Sequence, residues 1–314
     1  MTEGLFGALI ALLVPVCFGT GMVVVRIGLQ HMPPNTGNFL SLVSGWLVVT
    51  LLAFAIYPSQ MLDMKWIALF GFALIGFINF PVGRFFNFVS IKQLGVLKAA
   101  PILAAAPVVS TAEGIFFLNE NANGVILIGT LISIAGVVVV IRGDTRTTEP
   151  PTIDIVNEGT SSNFIKRHPI LIGYLAAIGA CLAYGTIPPL GRVAVAELAE
   201  PIVTASYTLL FGSIFMGLLA SKNIPRDLKS APLFSSGLVA LSGILMGVGV
   251  SILYFALSKA PVVVVSPVFG LNVFVSMIIV RLFLQKLEKV NAQLVLGSLL
   301  VVGGVAAVIV GSQI

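Results

Sequence analysis

The chain has 314 residues, of which 58% are hydrophobic and only 9% are charged, and its formal net charge is +5 at pH 7. A soluble domain usually carries about 25% charged residues, so a chain with a mean hydropathy of +1.09 cannot cover a water-soluble fold of this size. The composition predicts a multi-pass membrane protein, and no cluster of basic residues resembles a nucleic-acid site.

Apolar runs long enough to cross a bilayer, which takes about 20 residues, fill the first half of the chain. The first run lacks the basic n-region of a signal peptide, so we interpret it as a structural span. Trp66 stands at the start of the third run, where an interfacial anchor is expected. The five runs are Gly4–Val25, Gly37–Ile56, Trp66–Ile91, Val96–Leu118 and Gly124–Ile141.

Residues 143–168 then break the apolar pattern. They are rich in Thr, Pro, Ser, Asp and Glu and predict a solvated linker that tolerates shortening. Five further apolar runs follow it, which gives ten predicted spans in an all-α integral membrane protein with two domains, residues 4–142 and 169–312. The runs of the second domain are Pro169–Leu190, Ile202–Ala220, Leu233–Leu257, Val262–Leu284 and Ala292–Val310.

The second half repeats the first at an offset of 166 residues. Phe18-Gly19-Thr20 and Arg26 return as Tyr184-Gly185-Thr186 and Arg192. Because five spans per half is an odd number, the second half must enter the membrane from the opposite side. The pattern therefore predicts an inverted-topology repeat, the architecture of alternating-access transporters, with its functional site between the halves. The same offset relates Gly83 to Gly249, Phe88 to Tyr254, Pro101 to Pro267 and Ser110 to Ser276.

Lysine and arginine are distributed unequally between the two predicted faces. The loops after the odd-numbered spans, with the adjoining helix ends, carry 13 of them, and the other face carries 3. The positive-inside rule therefore places the loops after odd-numbered spans in the cytoplasm and both termini outside.

These features together resemble the drug/metabolite transporter superfamily, specifically the EamA-like ten-helix transporters. In that family the fourth helix typically ends in a Leu-Gly-Glu-Arg-like turn, which here reads Leu118-Asn119-Glu120-Asn121 and, in the second half, Leu284-Gln285-Lys286-Leu287-Glu288. The resemblance implies both termini in the cytoplasm, in conflict with the charge distribution. It does not extend to proton coupling, because the first span lacks the carboxylate that proton-coupled relatives use there.

Ionisable side chains inside spans are costly and mark candidate functional positions. Arg84 lies within the third span, between Asn79 and Asn87, as a candidate contact for an anionic or zwitterionic substrate; the alternative is that it snorkels to the membrane surface. Glu113 in the fourth span is a candidate coupling residue, or else reaches the interface. Further candidate substrate-binding residues are Tyr184, Tyr254 and Asn272.

The remaining polar residues indicate structure rather than chemistry. Arg26 and Arg192 are interpreted as cations at helix C-termini, facing the helix dipole and the lipid headgroups. Cys17 and Cys181 are expected to be free core residues, and the two histidines lack ligand-spaced companions, so no metal or cofactor is expected. No nucleophile with a base, and no phosphate loop, indicates an enzyme.

The sequence therefore predicts a secondary transporter, an exporter or exchanger of a small polar metabolite or drug-like molecule, in the inner cell membrane. The alternatives are a flippase for a lipid-linked substrate, for which Arg26, Arg84 and Lys98 would line a lateral basic groove, or a non-transporting scaffold. The expected partners are a small-molecule substrate and membrane lipid, with a homodimer left open and no nucleic acid.

Overall fold

A computed structural model describes residues 9–118, 124–142, 169–259, 265, 271–283 and 291–311. These residues form helices joined by short turns, and the described part contains no strand. The predicted linker and the turns that carry Glu120 and Glu288 lie outside the described residues.

The helices of the first half follow the predicted runs and add one short surface helix. The third run contains a π-helical segment, Ile78–Arg84, between two α-helices. In chain order the α-helices are α1 Leu13–Gly28, α2 Pro34–Ile56, α3 Pro58–Leu62, α4 Trp66–Phe77, α5 Phe85–Leu94, α6 Val96–Leu103, α7 Ala106–Leu118 and α8 Gly124–Arg142.

The second half repeats this order within the described residues. A short helix again follows its second long helix, here at the opposite end of the bundle. The helices are α9 Pro169–Glu197, α10 Pro201–Ala220, α11 Ile224–Ser230, α12 Leu233–Lys259, α13 Asn272–Phe283 and α14 Ala292–Gly311.

Six helical stretches are long and apolar enough to cross a membrane, and four shorter apolar helices occupy the remaining predicted positions. Lipid-facing surfaces of the long helices are apolar: Leu51 is 70% exposed and Trp66 is 77% exposed. The protein is thus an all-helical, multi-pass membrane protein, whereas the count of ten complete spans stays a prediction.

Proline explains where the predicted boundaries differ from the observed ones. The fourth run is interrupted at Ala104 and Ala105, and α7 restarts with Pro107 in its first turn, where the missing N–H costs nothing. Pro34 likewise begins α2, three residues before the predicted start of the second run at Gly37. In contrast, α9 continues through Pro188 and Pro189 to Glu197, seven residues beyond the predicted end.

Most of the extensive helix contacts join a helix of one half to a helix of the other half. Each such contact has an equivalent in which the roles of the two halves are exchanged. Helix α1 packs on α12, and its counterpart α9 packs on the π segment and α5, which are the counterpart of α12. Similarly α1 contacts α13, and α9 contacts α6 and α7. The interior of the bundle is therefore the interface between the halves.

Equivalent helices run in opposite directions. In the pair α2 and α10, Thr50 Oγ1 lies 2.7 Å from Ser206 Oγ, while the ring of Phe39 lies against Gly217. Residue numbers thus rise along one helix as they fall along the other. This antiparallel pairing of equivalent helices is the geometry that an inverted repeat requires.

The last helices of the two halves, α8 and α14, pair in the same antiparallel way. A β-carbon on Gly304 would lie 2.5 Å from the carbonyl oxygen of Gly129, and one on Gly136 would lie 2.7 Å from that of Gly297. Only glycine permits backbones to approach this closely in a membrane helix pair. The two contacts are equivalent, because after a two-residue slip the repeat offset is 168 and relates Gly129 to Gly297 and Gly136 to Gly304.

Candidate functional site

A cavity lies between the two halves, and residues of both halves form its walls. The space open to the centre of a water molecule measures about 50 Å³, which is room for ordered water. The cavity is lined by Phe18, Asn79, Arg84, Ala106, Pro107, Ser110, Tyr184, Ile187, Pro188, Val250, Leu253, Tyr254 and Val265.

The π-helical segment brings Asn79 and Arg84 to the same cavity. Their spacing of five residues would put them on different faces of an α-helix, but a π-turn closes its backbone hydrogen bond between residues five apart. Pro81 lies inside the segment and contributes no N–H to an α-helical ladder. The side chain of Asn38 from α2 donates a hydrogen bond of 3.1 Å to the carbonyl of Phe80, which ties the segment to its neighbour.

Arg84 is held inside the bundle and does not snorkel to the membrane surface. Its side chain is only 2% exposed, and its Cζ lies 4.7 Å from the ring centroid of Phe80. The Nη1 atom has no hydrogen-bond partner among the described residues, and the polar group that acts on the guanidinium there is the Tyr184 hydroxyl, not a carboxylate. A buried guanidinium without a counter-ion costs several kcal/mol, so a ring contact of about 2 kcal/mol and a neutral hydroxyl leave the charge only partly compensated.

The aromatic residue of the repeated aromatic-Gly-Thr motif faces the cavity in both halves. The ring of Tyr184 lies against Gly83, and the ring of Phe18 lies against Gly249 at the equivalent position. The following glycines also make equivalent contacts. Ser110 donates a hydrogen bond to the carbonyl of Gly185, and Ser276 donates one of 3.5 Å to the carbonyl of Gly19.

Repeat-equivalent segments of the two halves line the cavity, but the segment of the first half is polar and that of the second half is apolar. The repeat offset relates Arg84 to Val250, and both side chains line the cavity. The same offset relates Asn87 to Leu253, which also lines it. The third helical stretch of the first half thus supplies the charge, while its counterpart in the second half supplies aliphatic side chains.

Tyr254 supplies a second buried polar atom to the cavity wall. The residue is fully buried, and its ring lies against Gly191, where a β-carbon would approach to 2.7 Å. Its hydroxyl makes no hydrogen bond of normal geometry within the described part of the chain. Tyr254 therefore contributes a buried ring to the cavity wall, and its hydroxyl lies near the side chain of Thr208 on α10.

The other sequence candidates lie away from the lining. Asn87 is buried behind Tyr184, and its amide donates a long hydrogen bond of 3.5 Å to the Tyr184 hydroxyl. Asn272 is fully buried at the start of α13, next to Gly19, and neither of its polar side-chain atoms is bonded among the described residues. Glu113 is partly exposed and lies one turn beyond the lining residue Ser110 on α7.

A network of polar residues seals one end of the bundle, which we call the Asp227 end. The Thr36 hydroxyl donates a hydrogen bond of 2.5 Å to the Asp227 carboxylate and thereby joins α2 of the first half to α11 of the second. Lys92 donates to the carbonyl of Met32 at 3.1 Å, and Ser235 and His31 are hydrogen-bonded at 3.2 Å. Alternating access would have to break the contacts between halves at this end.

Arg26 and Arg192 act as helix caps across the bundle. Arg26 donates to the carbonyl of Lys92 at 2.7 Å, near the C-terminus of α5, and Arg192 donates to the carbonyl of Leu257 near the end of α12. The prediction that these arginines face the lipid headgroups is therefore wrong for Arg26, which is buried. Arg84 and Lys98 are buried too, so these three residues do not form a lateral basic groove.

Sequence reasoning missed the apolar part of the site and the position of Ser110. The repeat carried a usable signal, since Phe18 and Tyr184 occupy equivalent positions and both line the cavity. Ser110 also has a repeat counterpart, Ser276. The aliphatic residues Ile187, Val250, Leu253 and Val265 carry no such signal, because apolar residues are common throughout a membrane helix.

Comparisons with known proteins agree with this architecture. A family model described as the EamA-like transporter family matches twice, over residues 5–142 and over residues 171–310. A solved structure, described as the crystal structure of a protein, is 17% identical in sequence with a TM-score of 0.65, and the match covers 96% of this chain and 95% of that one. At this identity the likeness concerns the fold alone. A search of the curated proteins found no match.

Proposed function

Because the chain belongs to the EamA-like transporter family, we propose that it is a secondary transporter that exports or exchanges a small polar metabolite or drug-like molecule by alternating access. The observation that supports this most directly is the cavity at the seam between two antiparallel halves. Inverted-repeat transporters bind their substrates near the bilayer midplane at such a seam.

The packing suggests how such a site would reach either side of the membrane. Contacts between halves at the Asp227 end, chiefly the hydrogen bond from Thr36 to Asp227, close one route. At the opposite end, which we call the Met61 end, Tyr207 donates a hydrogen bond of 2.7 Å to the carbonyl of Met61. Opening one set of contacts while the other holds would expose the cavity to one side at a time.

Metabolite profiling of cells with and without the protein, followed by uptake of the strongest hits into proteoliposomes, tests the proposal. A blocking variant makes the test specific to the cavity. Val250→Phe adds a ring to the cavity wall, whereas Leu241→Phe adds the same ring to an exposed position of the same helix. We expect the first variant to lose uptake and the second to retain it.

Two results would contradict the proposed function. One is a correctly inserted wild-type protein that moves none of the profiled compounds into proteoliposomes. The other is uptake that Val250→Phe leaves unchanged, which would place the transport route outside the cavity.

A further inference from the structure

The cavity contains a positive charge that the described part of the protein does not balance. The guanidinium of Arg84 lines the cavity at 2% exposure, and its Nη1 atom lacks a partner within that part. The described lining residues include no carboxylate. An ion in an apolar interior is strongly disfavoured unless an opposite charge accompanies it, so the occupant of the cavity is the natural source of that charge.

The cavity wall that the second half supplies indicates the chemistry of the ligand portion that does not contact Arg84. Val250, Leu253 and Val265 present aliphatic side chains, and Ile187 and Pro188 continue this surface. These residues offer no hydrogen-bonding side chain to a second charged or polar group. A ligand with its charge near Arg84 would therefore place an apolar body against the second half.

The uncharged polar atoms are too few to favour a second charge on the ligand. Asn79, Ser110, Tyr184 and Tyr254 are the uncharged polar residues of the lining, but the Ser110 hydroxyl proton is already donated to Gly185 and the Tyr184 hydroxyl already accepts from Asn87. The ammonium group of a zwitterion would meet neutral groups in a site that already contains a cation. Like charges in such a site repel each other, so a zwitterion is a poorer occupant than an anion of the same shape.

From these observations we propose that the transported substrate is an organic monoanion with an apolar body, bound with its anionic group on Arg84. The inference rests on the proposed transport function and names the substrate class of the same site. A carboxylate suits the planar guanidinium, which can donate two parallel hydrogen bonds to it. The aromatic rings of Phe18 and Tyr184 are then available to pack against the ligand body.

Four probes with one phenyl body and different charges test the inference in proteoliposomes. They are 3-phenylpropionate, its neutral amide, 3-phenylpropylamine and zwitterionic phenylalanine, each tested as a competitor of the uptake found by profiling. We expect the carboxylate to compete about tenfold or more better than the amide, because hydrogen bonds to charged groups are worth more than neutral ones. The amine and the zwitterion should compete more weakly than the carboxylate.

Variants of two arginines locate the source of that preference. Arg84→Gln removes the charge from the cavity and should abolish the advantage of the carboxylate over the amide. Arg84→Lys keeps the charge without the planar fork, so the advantage should persist with a lower affinity. Arg192→Gln is the matched control, because it removes an arginine that lies on another helix and outside the lining.

The outcomes separate the two proposals. A carboxylate preference that Arg84→Gln loses and Arg192→Gln retains supports the inference. Measurable uptake with equal or better competition by the amide, amine or zwitterion overturns the inference alone, as does a carboxylate preference that survives in Arg84→Gln. Absence of any uptake by the wild-type protein overturns the transport function on which the inference rests.

Discussion

The ring of Tyr184 lies so close to Gly83 that a β-carbon at this glycine would approach Cε1 of the ring to 2.8 Å. The π segment and the first helix of the second half are thus in direct contact beside the cavity. Any side chain at residue 83 must displace a ring that lines the site, which leads to a first prediction.

Gly83→Ala should lower transport because it displaces Tyr184 from the cavity wall. Overpacking of a tight contact typically costs about 1–3 kcal/mol, so a lower melting temperature in detergent should accompany the loss. Gly237→Ala is the control, since a β-carbon there has no neighbour within 4 Å. Normal substrate affinity in Gly83→Ala would show that the position of Tyr184 does not matter for binding.

A disulfide between positions 36 and 227 should stop transport by holding the Asp227 end closed. Thr36 and Asp227 are hydrogen-bonded side chain to side chain, so we expect cysteines at these positions to lie within reach of each other. The natural residues Cys17 and Cys181, both free thiols, are first replaced by serine or alanine. Uptake into proteoliposomes should fall under oxidant and recover under reductant in the double-cysteine protein.

The two single-cysteine proteins serve as controls for this experiment and should be indifferent to oxidant. If the cross-linked protein, verified by its altered mobility on a gel, still transports at the normal rate, then the Asp227 end does not need to open. That result would contradict alternating access through this end of the bundle.

Two adjacent glycines of α14 should respond differently to the same substitution. A β-carbon on Gly304 would collide with Ser133 Oγ and lie 2.5 Å from the carbonyl oxygen of Gly129, whereas a β-carbon on Gly303 has open space around it. Gly304→Ala should therefore destabilise the protein by about 1–3 kcal/mol, and Gly303→Ala should be neutral or slightly stabilising. Thermal unfolding in detergent measures both, and equal effects would contradict the observed pairing of α8 with α14.

Cysteine labelling should place the two ends of the bundle on opposite sides of the membrane. Single cysteines at Gln60, near the Met61 end, and at Lys229, at the Asp227 end, are tested with a membrane-impermeant reagent applied to intact cells. The distribution of lysine and arginine predicts that only the cysteine at position 60 reacts from outside. Labelling only at position 229 would instead support the orientation that the family resemblance implies, and labelling at both would contradict a spanning bundle.

The repeat made much of the architecture predictable from sequence. A constant offset located equivalent helices and, through the odd number of runs, their opposite directions, because these properties depend on chain length and order. The π segment was not predictable, since nothing in Asn79, Pro81 and Arg84 distinguishes a π-turn from a kink. The spacing of Asn79 and Arg84 fits one side of the helix only because the backbone between them is π-helical.

Site residues were predictable where they are polar. Arg84, Asn79, Tyr184 and Tyr254 were candidates because polar groups in a span are costly, and all four line the cavity. Asn87 and Asn272 satisfied the same criterion but do not line it, since sequence shows that a residue is buried in a span without showing which neighbour it faces. Whether any of these residues binds substrate stays a prediction.

The isolated charge of Arg84 has an electrical consequence. If an anion neutralises this guanidinium, the loaded cavity carries no net charge and the empty cavity carries one positive charge. The membrane potential then acts on the empty protein and hardly on the loaded one, with about 2.3 kcal/mol available per elementary charge moved through 100 mV. One-for-one exchange of anions would be electrically silent, whereas net export would generate a current whose voltage dependence belongs to the unloaded return step.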